Sequence, residues 1–348
     1  MRITLQDIAN ELGVSKASVS LALRDHPRIS AKLRETVRQT ADRLGYLPDR
    51  ALSQIAAHRW RQSKVSGGTP VAILDSVHPG VIPPNSSGKS ENSWVELARE
   101  EARKRGYQAE IVTISEDTLL PPLFRNLYYR GIVGVVMNQI YREELYRTFP
   151  WPKFTCIAVS VGFHCPPVDI VDSDHLGSLQ FVWNQFVSRG YRRIALVLFD
   201  EGRVHPMWLP VRALYKELAR LKRLPPLLHD MRPNQSHELV DWLRDHRADA
   251  VIGFTDSVYW NLLEGGYLIP NEVAFASLWS VETSPQQTAG MISMDGENIA
   301  RAFDLLQTRM HAGMRGSPST VIFESLRQSW REGLSFPEDK SKKSRASC

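Results

Sequence analysis

The chain opens with three short stretches in which apolar residues recur at helical spacing. Leu5, Ile8, Ala9 and Leu12 fall at i, i+3, i+4 and i+7 and so share one helical face. Thr4 precedes this run with Asp7 three residues on, a capping-box spacing, and Gly13 ends it because glycine takes the left-handed C-cap without penalty. Ser15 caps a second helix, KASVSLALR, and Ser30 a third, AKLRETVRQTADRL, whose Val37, Ala41 and Leu44 close the core before Gly45. At about 100° per residue, Lys16, Ala17, Ser20, Leu21 and Arg24 occupy one half of the second helix, and Ser18, Val19, Ala22 and Leu23 the other. Val19 and Leu23 are expected to pack on the first helix, leaving Lys16, Ala17, Ser20 and Leu21 outward.

Past a further short helix at residues 48–57 and a basic, then Gly-rich linker (58–70), the pattern changes. Strand-like runs VAILDS (71–76), QAEIVTI (108–114), GIVGVVM (131–137), FTCIAVSV (154–161), RIALVLF (193–199), ADAVIGF (248–254) and EVAFASLW (272–279) alternate with helical patterns. The helical patterns include WVELAREEARKRG, HLGSLQFVWNQFVSRG, ELVDWLRDH and NIARAFDLLQTRM. Apolar strands separated by helices predict parallel sheets covered on both faces, the α/β class. No repeat of solenoid period is present. The polar tail, 337–348, is expected to be disordered.

Composition adds two constraints. The 348 residues are 43% hydrophobic and 23% charged, which suits two or three globular domains. No run reaches the ~20 apolar residues of a membrane span, and MRITLQDIANELG lacks the apolar stretch of a secretory signal, so a cytoplasmic, nucleoid-associated protein is expected. The net charge is +5, but its distribution is uneven. Residues 1–64 hold 12 Lys+Arg against 6 Asp+Glu, while the other 284 hold 31 against 32. A phosphate backbone attracts such a basic segment; a solvated basic face is the alternative.

Cys156, Cys165 and Cys348 form no CxxC pair or zinc-spaced cluster, and Cys156 reads as a core thiol. No metal or other cofactor is implied. GxSxG, HExxH, GxGxxG and the P-loop pattern are absent, so no enzymatic reading competes.

Two helices joined by a glycine turn, the second presenting its N-terminal residues outward, form a helix-turn-helix whose recognition helix enters the major groove. Lys16 could donate to guanine O6 and N7, and Ala17 or Leu21 could meet a thymine methyl. The helix starts at Thr4, Ser15 and Ser30 offer hydroxyls and amides to phosphates, and Ser18 and Ser20 flank the same surface. A three-helix protein-interaction module is the alternative that helices and turn alone leave open.

ITLQDIANELGVSKASVSLAL and ISAKLRETVRQTADRLGYLPD closely resemble the lactose-repressor (LacI/GalR) family of bacterial transcriptional regulators. GYRRIALV, AVIGFTDSV and GYLIPNEVAFASL continue the resemblance in order, so it covers nearly the whole chain. It implies a helix-turn-helix headpiece (1–47), a hinge helix and linker (48–70), and an effector-binding and dimerisation domain (71–336). That domain would have two subdomains, like the periplasmic sugar-binding proteins, with crossovers near Ser173, Ser284 and Gly316. It also implies a homodimer on a near-palindromic operator and a small-molecule effector, with a sugar among the candidates.

In LPDRALSQIAAHR, which resembles the family's hinge helix, Asp49 is the cap and Leu52, Ile55 and Ala56 form the apolar face. Ile55 stands where the family has a leucine that wedges into the minor groove, and Leu52 where it usually has alanine; which of the two inserts is open. A hinge packed only against its own protein is the alternative. Leu21 replaces the family's common recognition-helix arginine, which shifts the expected base readout to Lys16 and Ala17.

For the effector, the resemblance points to the C-terminal ends of the strands between the subdomains. Arg212 matches an arginine that grips ligand hydroxyl or carboxylate groups, Asp256 a polar strand-end position, and Asp75 with Ser76 a third patch. A surface arginine and a helix N-cap are the competing roles for Arg212 and Asp256. Leu278 and Trp279 replace the family's acidic pair after the late strand. Trp94, Trp208, Trp260 and Trp279 could stack on a sugar ring, although burial is the commoner fate of tryptophan. A transport solute-binding protein would need a signal and no basic headpiece, and an enzyme would need the motifs found missing above.

Overall fold

The computed structural model describes residues 3–23, 26, 28–46, 68–76, 90–138, 142–160, 166–199, 208–232, 236–280 and 288–337. The first described segment is three helices, α1 (Leu5–Leu12), α2 (Lys16–Leu23) and α3 (Ala31–Leu44). Each buries the face its apolar spacing marks: Ile8 and Ala9 from α1, Val19, Ala22 and Leu23 from α2, Val37 and Ala41 from α3. At about 1.5–3 kcal/mol for each large aliphatic side chain, this small core holds the trio together. Gly13 and Gly45 end α1 and α3 with φ of 64° and 70°. An Arg43–Glu11 ion pair ties α3 back to α1.

Two six-stranded sheets follow. The first runs β11 (Phe323–Leu326), β5 (Asp169–Ser173), β4 (Thr155–Val159), β3 (Gly134–Asn138), β1 (Thr69–Ser76), β2 (Tyr107–Ile114), all parallel. The second runs β12 (Trp330–Arg331), β10 (Ala289–Ile292), β9 (Ala274–Ser280), β8 (Ala250–Thr255), β6 (Ile194–Phe199), β7 (Leu227–Met231), parallel except for β12. Alternation of side chains along each strand gives every sheet two cores.

On the first sheet, Ala72, Leu74, Val135, Met137 and Ala158 pack with α5 (Leu120–Tyr129) and α6 (Glu143–Thr148). Val71, Ile73, Val136, Ile157 and Val171 pack with α4 (Ser90–Lys104) and α11 (Asp295–His311). On the second sheet, Leu196, Leu198, Ile252, Ala276 and Leu278 meet α7 (His175–Ser188) and α8 (Trp208–Leu221). Ala195, Val197, Val251 and Phe275 meet α9 (Ser236–Asp245) and α10 (Ser257–Glu264).

The chain crosses between the sheets three times, each time from the carboxyl end of a strand. The first crossing follows Ser173, the last residue of β5. The second was expected near Ser284, in a segment outside the described residues; because β10 extends to Ile292 within the second sheet, the chain leaves that sheet at 293–294. The third was expected near Gly316. Gly316 instead lies against the first sheet, its amide donating to the Phe154 carbonyl at 2.9 Å, and the chain crosses only after β11, at 327–329. Both expectations fell short because β10 and β11 are four-residue strands that a periodicity reading passes over.

The expected hinge helix, with Asp49, Leu52, Ile55 and Ala56, lies outside the described residues, as do Arg24, Cys165 and the tail beyond 337. Cys156 is a buried free thiol whose pKa burial pushes well up.

Candidate nucleic-acid interface and effector cleft

The outward half of α2 is built by its inward half. With Val19, Ala22 and Leu23 buried against α1 and α3, Lys16 and Ala17 are exposed and Ser20 and Leu21 half-buried. Ser15, the residue before α2, accepts from the Ser18 amide at 3.0 Å, and the two hydroxyls lie 2.9 Å apart, so Ser18 faces its own cap. Thr4 forms the expected capping box: its amide and hydroxyl both donate to Asp7 Oδ2 at 2.7 Å, and the Asp7 amide returns to Thr4 Oγ1 at 3.3 Å. Those bonds, the hydroxyl's foremost, hold the Asp7 carboxyl below its ordinary range. Ser30 accepts from the Leu33 amide at 3.3 Å. Each cap therefore satisfies its own helix, and the remaining first-turn amides are the groups a helix start offers to a phosphate.

In the two-sheet domain, both sheets reverse strand order beside their first strand, β1 next to β3 and β6 next to β8. Open α/β sheets bind ligands at such switch points, outside the carboxyl ends of the strands. Asp75 and Ser76 end β1, and Asn138, ending β3, donates to Asp75 Oδ1 at 2.9 Å across that switch point. Asp256 follows β8 at the other. It occupies the N-cap position of α10 but makes no side-chain cap bond, which sets the N-cap role aside. Its Oδ2 accepts from Ser280 Oγ at 2.8 Å, and Arg331 Nη2 donates to Ser280 Oγ at 2.6 Å.

Arg212 on α8 is turned toward Asp230 of β7 in an ion pair, with its Nε buried and without an acceptor among the described residues. Trp279 is half-buried near the end of β9, whereas Trp208 is buried edge-on to Phe254 at 4.2 Å and belongs to the core. Trp94 and Trp260 are half-buried against the apolar cores.

The crossings carry polar groups that the sequence did not mark. Gln328, in the third crossing, accepts from Ser178 Oγ of α7 at 2.8 Å and donates to the carbonyls of Ile292 at 3.1 Å and Leu278 at 3.3 Å. Asn298 of α11 donates to Ser173 Oγ at 3.0 Å. The Asp174 amide donates to Leu326 O, and the Ile292 amide to Ser329 O, both at 2.8 Å. His175 Nε2 lies 3.4 Å from Asp172 Oδ1. Loss of water pushes the Asp295 carboxyl above its usual range, against the pull of the Ser293 hydroxyl and His175. The three crossings are thus bonded to one another at the base of the cleft. No local pattern could have paired Gln328 with Ser178, 150 residues away.

Residues 4–49 match the family model described as bacterial regulatory proteins, lacI family. Over 50 residues, 14% of this chain and 15% of that protein, the chain is 44% identical to the HTH-type transcriptional regulator GntR of Escherichia coli. The headpiece is thus a LacI-family DNA-binding region. An HTH-type transcriptional regulator of Mycolicibacterium smegmatis is 23% identical over 335 residues, 96% of this chain and 85% of its own. The fold agrees along the whole length. The transcriptional regulator CelR in complex with cellobiose superposes with a TM-score of 0.60 at 18% identity, covering 96% of this chain and all (100%) of CelR. The lac repressor dimer bound to operator and the anti-inducer ONPF gives 0.59 at 15% identity, over 97% of this chain and 100% of that one. A LacI-type headpiece therefore precedes a two-sheet domain with the fold of those regulators. No helix among the described residues is long and apolar enough to cross a membrane.

Proposed function

We propose that this regulator is a cytoplasmic, homodimeric repressor that reads a near-palindromic operator and changes its grip on DNA when a small molecule of the sugar class enters the cleft between its sheets. The observation that carries this reading is the exposed Lys16–Ala17 surface on α2, braced from behind by Val19 and Leu23. One such helix reads only a few base pairs, so two related by a twofold axis are needed for useful specificity. Lys16 is the donor to guanine, and Ala17 with Leu21 the apolar contact to thymine. Leu52, Ile55 and Ala56 are the minor-groove surface of the hinge, with Ile55 at the wedge position. Asp75, Ser76, Asp256 and Trp279 supply acceptors and an aromatic plane at the strand ends, and Arg212 a cation beside them; cellobiose and ribose occupy two of the structural relatives.

The cleft transmits through the crossings. A ligand that bonds both sheets favours one opening angle, and a coupling of about 1–3 kcal/mol changes operator affinity roughly 5–150-fold. The test is selection of random duplexes by the full-length protein at near-physiological salt, then titration of the winners with a panel of mono- and disaccharides. A short near-palindrome bound about 10³-fold or more tighter than random DNA is expected. Lys16→Ala should relax one base position at a cost of about 1–3 kcal/mol, and Ile55→Ala should weaken specific binding more than non-specific. Sequence-blind binding throughout would sink the reading.

A further inference from the structure

Helix α7 is the only helix among the described residues that holds no Asp, Glu, Lys or Arg. Its one ionisable side chain, His175, is 13% exposed and turned to Asp172. The inward face needs no charge, because Leu179, Val182, Trp183 and Phe186 are buried on the second sheet. The outward face is the anomaly. At about 100° per residue, Leu176, Gln180, Asn184 and Phe181 fan across one arc of the helix, and all four are exposed. A helix face turned to water ordinarily carries charge, as α4 does with Glu96, Arg99, Arg103 and Lys104.

The neutral surface continues on both sides of α7. Helix α8 lies alongside, with the Tyr215 and Trp183 rings 5.5 Å apart between the two, and its first half exposes Leu209, Pro210 and Ala213. On the other side Phe181 stands 5.7 Å from the Trp330 ring of β12. Charged side chains reappear at the rim: Lys216 and the Glu217–Arg220 pair in the second half of α8, and the Arg189–Glu332 pair at the end of α7. A centre depleted of charge inside a charged rim is the anatomy of a protein–protein contact. Two adjacent helices expose a face about 21 Å by 20 Å, and neutral patches of roughly 400 Å² mark such contacts.

The lack of charge also selects the partner. A charged surface laid on this face would lose its water and find nothing to pair with. The matching surface that this chain offers is the same face on a second copy, and a twofold axis opposes it to itself. Leu176 and Phe181 then meet apolar side chains, while the Gln180 and Asn184 amides, each both donor and acceptor, bond in kind. We propose that the α7 face joins two copies of this chain, with Leu176, Gln180, Phe181 and Asn184 at the centre of the contact. This association is separate from the headpiece and goes beyond the operator reading.

The test is sedimentation equilibrium of the full-length protein at micromolar concentration without DNA. It compares wild type, Asn184→Arg, Asn184→Glu and an equimolar mixture of the two variants. Arginine and glutamate are better helix formers than asparagine at an exposed position, so both variants should keep the helical content of wild type. Each variant should have half the mass of wild type, because like charges then oppose each other across the axis. The mixture should regain the wild-type mass, since arginine then faces glutamate, and a recovery of that kind also shows that both variants are folded. A fall from four copies to two puts the operator-reading pair on another surface and leaves the operator affinity of each pair unchanged. A fall from two copies to one makes the α7 face the contact of that pair, and operator affinity falls with it. Equal masses in wild type and both variants, or a mixture that stays at the mass of the variants, overturn the proposal and leave the face to a different protein or to none. Failure of wild type to select an operator would sink the function proposed above and leave this measurement, which contains no DNA, intact.

Discussion

Asp295 stands at the start of α11, where the first turn favours a negative charge, yet the protein around it has removed the water that a carboxylate needs. Desolvation is the largest influence and raises its pKa, with Asp172 and Glu297 adding to the rise, while the Ser293 hydroxyl and His175 pull the other way. A carboxyl whose folded pKa lies above its unfolded one is protonated in the native state over a window where the unfolded chain is already ionised. Its contribution to stability is therefore complete below the ordinary carboxylate range and is lost as pH rises through the raised folded value. Asp295→Asn removes that penalty. Its thermal midpoint should coincide with that of wild type at about pH 3 and exceed it at about pH 8. Melting curves of both proteins across that range check the sign, and a variant less stable than wild type at the upper end would show that the ionised carboxylate is held by partners stronger than its desolvation.

Among the elements, the headpiece helices depend on their end residues as much as on their faces. Gly13 closes α1 at φ 64° with its amide donating to the Ala9 carbonyl, and a Cβ placed there would meet nothing within 4 Å. The cost of Gly13→Ala is then purely that of the left-handed backbone, about 1–2 kcal/mol, and Gly13→Asn should recover part of it. Chemical denaturation of the three proteins should rank them glycine, asparagine, alanine. Ends of this kind are legible in a sequence because cap, apolar face and glycine lie along one short stretch, ten residues from Thr4 to Gly13 and sixteen from Ser30 to Gly45. Helices α1 and α3 were readable for that reason, α2 by its Ser15 cap and apolar face, and so was the exposure of Lys16. The seven apolar strand runs were readable too. β5 was not, because DIVDS interrupts its apolar residues with Asp169 and Asp172. Asp169 is tolerated there because Arg309 of α11 reaches it at 2.6 Å, a partner 140 residues on. β7, β11 and β12 are sheet edges, with exposed or half-buried residues and little pattern of their own. Edge strands and the crossings beside them are fixed by pairings across long stretches of chain, and the crossings near residues 293 and 328 were misplaced for this reason. The cleft was half legible in the same sense: Asp75 and Asp256 follow recognisable strands, while Ser280 and Arg331 meet only after folding.

At the scale of the whole molecule, the function proposed above needs the two sheets to move as units and the crossings to bend together, since coupling requires a bistable element that both sites bias. Gln328 is placed to enforce that. One side-chain amide in the third crossing holds α7 just beyond the first crossing and the last residue of β10 just before the second. Gln328→Leu leaves the Ser178 hydroxyl and the Ile292 and Leu278 carbonyls without this partner, at about 1–3 kcal/mol for each group left buried and unsatisfied. A fall in thermal midpoint alone would not distinguish a tie between crossings from ordinary core packing. Tyr215→Phe provides the contrast. The Tyr215 hydroxyl bonds Ile194 O at 2.7 Å and Leu227 O at 2.8 Å deep in the second subdomain, away from any crossing. Both variants should be less stable than wild type. Only Gln328→Leu should also shrink the ratio of operator affinities measured with and without effector toward one, because its crossings can then bend separately. Equal ratios in Gln328→Leu, Tyr215→Phe and wild type would mean that the coupling runs through the packed faces of the two sheets and not through the bonds that join their crossings.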